Sequence, residues 1–92
     1  MGLKEQREKQ LIDIRKGVLA TLEDSVFSAS LEPSKASPTL IWNYYQVQVE
    51  IETGRIVNLT LEDKLLALDK LEKWYTERGV SFPNKEWLNQ AR

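Results

Sequence analysis

Trp42-Asn43-Tyr44-Tyr45-Gln46-Val47-Gln48-Val49-Glu50-Ile51-Glu52-Thr53-Gly54 is the stretch on which the fold turns. Tyr45, Val47, Val49 and Ile51 alternate with Gln46, Gln48, Glu50 and Glu52, and β-branched and aromatic residues dominate. That period of two predicts a half-buried strand, because a helix would scatter the same apolar residues onto both of its faces. Parity sets the turn. A three-residue loop, Glu52-Thr53-Gly54, places Val57 opposite Val49 and Leu59 opposite Val47, whereas a two-residue loop would put Val57 and Leu59 on the polar face. The glycine then stands where a type I turn with a bulge needs a positive φ.

On the N-terminal side, Leu3 to about Ser25 reads as a helix. Leu11, Ile14, Val18 and Leu22 recur at three- and four-residue steps, with Ile12, Leu19 and Val26 widening the stripe and Gly17 interrupting it. Residues 26–32 follow, with Phe27, Ala29 and Leu31 alternating, as a short first strand, and Pro33 to Pro38 form a connecting loop.

On the C-terminal side, Thr60 caps a second long helix, Asp63 standing in for the glutamate of a capping box. Leu61, Leu65, Leu68, Leu71, Trp74 and Tyr75 form its apolar stripe, and Gly79 is its stop signal. Asn84 caps a last short helix that carries Trp87 and Leu88. The expected fold class is therefore α+β: an N-terminal helix, a two- or three-stranded antiparallel β-meander, a C-terminal helix and a short terminal helix. All 92 residues form one compact domain, since a chain of this length has surface to spare for one core.

Composition narrows function mainly by exclusion. There is no cysteine and no histidine, which removes disulfides, thiolate nucleophiles, the usual zinc sites and imidazole acid–base chemistry. No Gly-rich phosphate loop or Ser-centred elbow is present, the four glycines being scattered. No catalytic residue, metal ligand or cofactor site is assigned. Glu50 and Glu52, two apart on one strand face, have the spacing of an acid–base or Mg²⁺ pair, but read as a solvated edge. The expectation is a protein that is not an enzyme. The Met1-Gly2-Leu3-Lys4-Glu5 start runs into a charged stretch without the apolar core of a signal peptide, and no stretch approaches the roughly 20 apolar residues of a membrane span. A cytoplasmic protein with no membrane contact is expected.

The functional expectation is a protein–protein interaction module, such as a small adaptor, regulator or inhibitor. On a strand, Trp42 and Tyr44 share a face with Gln46 and Gln48, and large aromatics on a polar face are what interfaces favour. Lys35 in the adjacent loop and Leu66, an apolar residue off its helix stripe, complete the candidate partner-binding set. Arg15 and Glu72 each place a charge inside an apolar stripe and read as a cross-helix pair or as snorkelling groups. Self-association extends this picture, since an edge strand pairs with its copy. The alternative is nucleic-acid binding, with Lys4, Arg7, Lys9, Arg15 and Lys16 on phosphates and the aromatics on bases. Residues 23–63 carry seven acidic and two basic side chains, which disfavours it.

Overall fold

A computed structural model describes residues 3–81, and within them the chain is helical, with no strand. Helix α1 spans Leu3–Ser30, a 3₁₀ turn spans Pro33–Lys35, α2 spans Pro38–Thr53 and α3 spans Leu61–Glu77. The α+β expectation, its β-meander and its β-hairpin are overturned. Residues 26–32 continue α1 to Ser30 rather than forming a strand, and the expected strand and turn at 45–54 are the body and cap of α2. The short terminal helix expected around Asn84, Trp87 and Leu88 lies outside the described residues.

The reason for the reversal is the place of α2. It lies between α1 and α3 and packs on both. Residues two apart on a helix differ by about 200° in direction, so apolar residues at every second position supply two opposite faces. A helix sandwiched between two others needs that pattern, and one apolar all round is a buried one. Val49, with Ile41 and Trp42, belongs to the core with Ala67, Leu71, Trp74 and Tyr75 of α3 and Val26 of α1, and the buried Val47 lines a cleft beside α1. The scatter onto both faces that argued for a strand is thus the mark of the central helix.

Local signals agree. Pro38 sits in the first turn, where its missing N–H costs nothing, behind Ser37 at the N-cap position. Gly54 does adopt a positive φ, 77°, but as the left-handed cap of α2, its N–H donating to the Glu50 carbonyl at 2.8 Å. Helix α3 opens with the expected capping box: Thr60 Oγ1 accepts from the Asp63 N–H at 3.2 Å and an Asp63 carboxylate oxygen accepts from the Thr60 N–H at 2.9 Å. The bidentate guanidinium of Arg55, at 2.6 and 2.7 Å, holds the Asp63 carboxyl well below the usual range, helped by the Thr60 backbone bond.

On α1, the residues turned toward the body are Ile12, Arg15, Leu19, Leu22, Val26 and Ala29, a regular 3-4-3-4-3 spacing of the kind that packs helices side by side. The far end of the assembly is fastened by the buried Tyr75, whose hydroxyl donates to the Ala36 carbonyl at 3.0 Å across 39 residues of chain. Burial pushes its phenol above the ordinary pKa, which keeps the proton on the donor. No helix among the described residues is long and apolar enough to cross a membrane.

Candidate functional site

Because α1 and α3 stand on opposite sides of α2, they wall a cleft of about 710 Å³ at the end where α2 stops. Its floor is Asn43, Gln46, Val47 and Glu50 of α2. Arg15, Val18 and Leu22 of α1 form one wall, and Val57, Asn58 and Leu59 with Lys64 of α3 form the other.

Glu50 organises this end. Its side chain is 8% exposed, and one carboxylate oxygen pairs with the Arg15 Nε at 3.4 Å and accepts the Val57 N–H at 2.7 Å. A carboxylate that deep is tolerable because a cation and a backbone donor satisfy it. It thereby ties α1, α2 and the connection to α3 at a single point. Val57 is held there with φ 56°, the left-handed region that a β-branched residue avoids, and the residue is 74% exposed. An unfavourable backbone thus displays an apolar side chain to solvent at the rim. Lys70 braces the other side of α2, donating to Gln48 at 3.2 Å and pairing with Glu52 at 3.7 Å.

Val18 and Val57, on the two walls, are exposed apolar residues, and outside the lining Ile14 of α1, 62% exposed, and Leu61 and Leu65 of α3 are exposed as well. Among the described residues nine large apolar side chains are exposed, as many as the nine apolar residues buried in the core, so the three helices leave much of their apolar surface uncovered.

The partner-binding residues expected from the strand reading do not form one face. On a helix Trp42 and Tyr44 diverge by about 200°. Trp42 is 9% exposed and part of the core, while Tyr44 is half-buried with its ring edge-on to Tyr45 at 5.0 Å. Gln46 lines the cleft and Gln48 is engaged by Lys70. Lys35 is solvent-exposed and paired with Glu32 at 3.2 Å, and Leu66 is exposed on α3. Glu50 and Glu52 likewise part company, one buried and the other at the surface. The partner of Arg15 is Glu50, not Glu72. Val18, Glu50 and Val57, which shape the cleft, were read as core stripe, solvated face and inner strand. The signal that points to Glu50 is Arg15, a cation inside an apolar seam that an acid on the facing helix can pair.

No family model matches the chain, and no curated protein or solved structure matches it.

Proposed function

We propose that the protein is a non-enzymatic interaction module whose binding surface is the α1–α2–α3 cleft, and that its occupant is the apolar face of an amphipathic helix. The observation that supports this is the strained and exposed Val57, which lines the cleft together with the exposed Val18. Backbone strain of about 1–3 kcal/mol persists where a function uses it, and here it presents an apolar contact at the edge of a trough. A trough of this kind, with α2 as its floor, α1 as one wall and the α2–α3 connection with Lys64 as the other, takes a helix along the exposed side of α1, its anchors spaced i, i+3, i+4 and i+7. The floor polar groups Asn43 and Gln46 supply orientation at the centre of the apolar contact.

Photo-crosslinking from a benzophenone amino acid at Asn58 tests the assignment. Crosslinks to a helical segment are expected in the wild-type background, and their loss is expected on adding Val18→Glu and Val57→Glu, both in the cleft lining, with helicity retained. An unchanged crosslink pattern in that folded double variant would remove the cleft from consideration.

A further inference from the structure

The charges lining the cleft define the chemistry of its occupant. Of the lining residues, Arg15 and Lys64 are cationic and Glu50 alone is acidic. Glu50 already serves two donors, the Arg15 Nε and the Val57 N–H. The Lys64 side chain has no hydrogen bond or ion pair among the described residues, and Arg15 has no acceptor there besides Glu50. Lys35, Arg55, Lys70 and Arg78 are by contrast matched within the chain, the first three to carboxylates and the last over the Trp74 ring at 4.2 Å. A chain of formal charge −1 thus turns a net positive lining toward the trough.

The two cations stand on opposite walls, Arg15 on α1 one turn before Val18, and Lys64 on α3 behind Val57 and Leu59. A helix that buries its apolar stripe against Val18 and Val57 brings its two flanks beside them. Apolar flanks would take water from these donors and return no acceptor, at about 1–3 kcal/mol for each donor and more where it is charged. Basic flanks would add like-charge repulsion. A carboxylate accepts from both cations, and it matches the planar fork of a guanidinium. The amides of Asn43 and Gln46 both donate and accept, so they do not select a charge. Phosphates would also meet the two cations, but five of the eleven lining residues are apolar, whereas a nucleic-acid backbone needs a track of cations.

We infer that the partner is an acidic amphipathic helix: its apolar stripe fills the cleft, and a carboxylate on each flank meets a cation, one Lys64 and the other the remaining donors of Arg15. The inference rests on the cleft being a helix-binding surface and adds the charge of the helix.

Fluorescence anisotropy of labelled synthetic peptides with the full chain decides it. The peptides are about 18 residues long, five helical turns, share one leucine stripe at i, i+3, i+4 and i+7, and differ only in carrying glutamate, glutamine or lysine along the flanks. The glutamate peptide is expected to bind at least ~10-fold tighter than the glutamine peptide and the lysine peptide most weakly, with margins that shrink as salt is added. Lys64 is exposed, so Lys64→Gln and Lys64→Glu are expected to keep the far-UV CD spectrum while the first reduces and the second abolishes the preference for glutamate. Equal affinities for the glutamate and glutamine peptides overturn the inference, as do a glutamate preference that survives Lys64→Glu and a failure of every peptide to bind. A single-stranded oligonucleotide that displaces the glutamate peptide from the wild type, and binds Lys64→Glu more weakly, assigns the cations to phosphate and overturns it too. If the Asn58 crosslinks depend on Val18 and Val57 but no glutamate preference exists, the acidic partner falls and the cleft reading stands. A glutamate preference alongside crosslinks unchanged in the folded Val18→Glu, Val57→Glu variant overturns both.

Discussion

Replacing Val57 with asparagine is expected to stabilise the free protein even though it removes an apolar side chain. Val57 has φ 56°, and a β-branched residue in the left-handed region carries about 1–2 kcal/mol of steric cost. Asparagine tolerates that region because its short side chain bonds locally. The loss is the covered quarter or so of a valine that is 74% exposed, about 0.5 kcal/mol when full burial contributes roughly 1.5–3. The bond to Glu50 uses the Val57 backbone N–H and survives the change. The balance is a gain of about 0.5–1 kcal/mol, or roughly 2–8 °C in Tm for a domain of this size. Val57→Gly removes all of the strain but returns about 0.5–1 kcal/mol through the freer unfolded chain, so it is expected within about 0.5 kcal/mol of wild type. Urea and thermal unfolding followed by CD at the lowest workable concentration measure both variants. A Val57→Asn protein less stable than wild type by 1 kcal/mol or more would refute the strain argument, because it would mean that packing rather than backbone geometry sets the energy at this position.

Leu71→Ala empties a fully buried site between α2 and α3 and is expected to cost about 2–5 kcal/mol, read as a lower urea midpoint. Tyr75→Phe deletes the bond to the Ala36 carbonyl, with an expected loss of about 1 kcal/mol and faster amide exchange at Ala36 and Ser37. For Asp63, whose carboxyl is more acidic in the folded than in the unfolded chain, the folded state binds fewer protons at acid pH. The stabilisation it brings is complete above the ordinary carboxylate pKa of about 3.9 and fades as pH falls below it. Urea midpoints taken between neutral and strongly acid pH should therefore decline less steeply in Asp63→Asn than in wild type.

The sequence revealed α3 and α1 as far as about Ser25, missed the continuation of α1 to Ser30 and placed the exposed Leu11, Ile14 and Val18 in its core stripe, and concealed the middle helix. Both outer helices expose one side, so their apolar residues keep helical spacing, and Thr60 with Asp63 marked the start of α3 directly. Helix α2 is apolar on opposite sides, and Tyr45, Val47, Val49 and Ile51 satisfy a strand pattern and a sandwiched helix equally well. The distinction was present in the flanks, where Ser37-Pro38 and Gly54 frame 16 residues as start and stop signals of a helix. Once those residues are helical, the aromatic face of Trp42 and Tyr44 dissolves, and the candidate site moves to residues whose role depends on which helix stands opposite them. Glu50 illustrates the difficulty: nothing in its immediate neighbours distinguishes it from the exposed Glu52, and only Arg15, 35 positions away, explains its burial.

Packing of α1 on α2 and of α2 on α3 joins segments that are adjacent along the chain. Such local contacts close short loops, so the barrier to folding carries little loop entropy and folding belongs in the microsecond-to-millisecond range. In synthesis from N- to C-terminus α1 and α2 emerge before α3, so the trough is complete only once Lys64 has joined its second wall, and until that moment there is no closed site for a helix to enter.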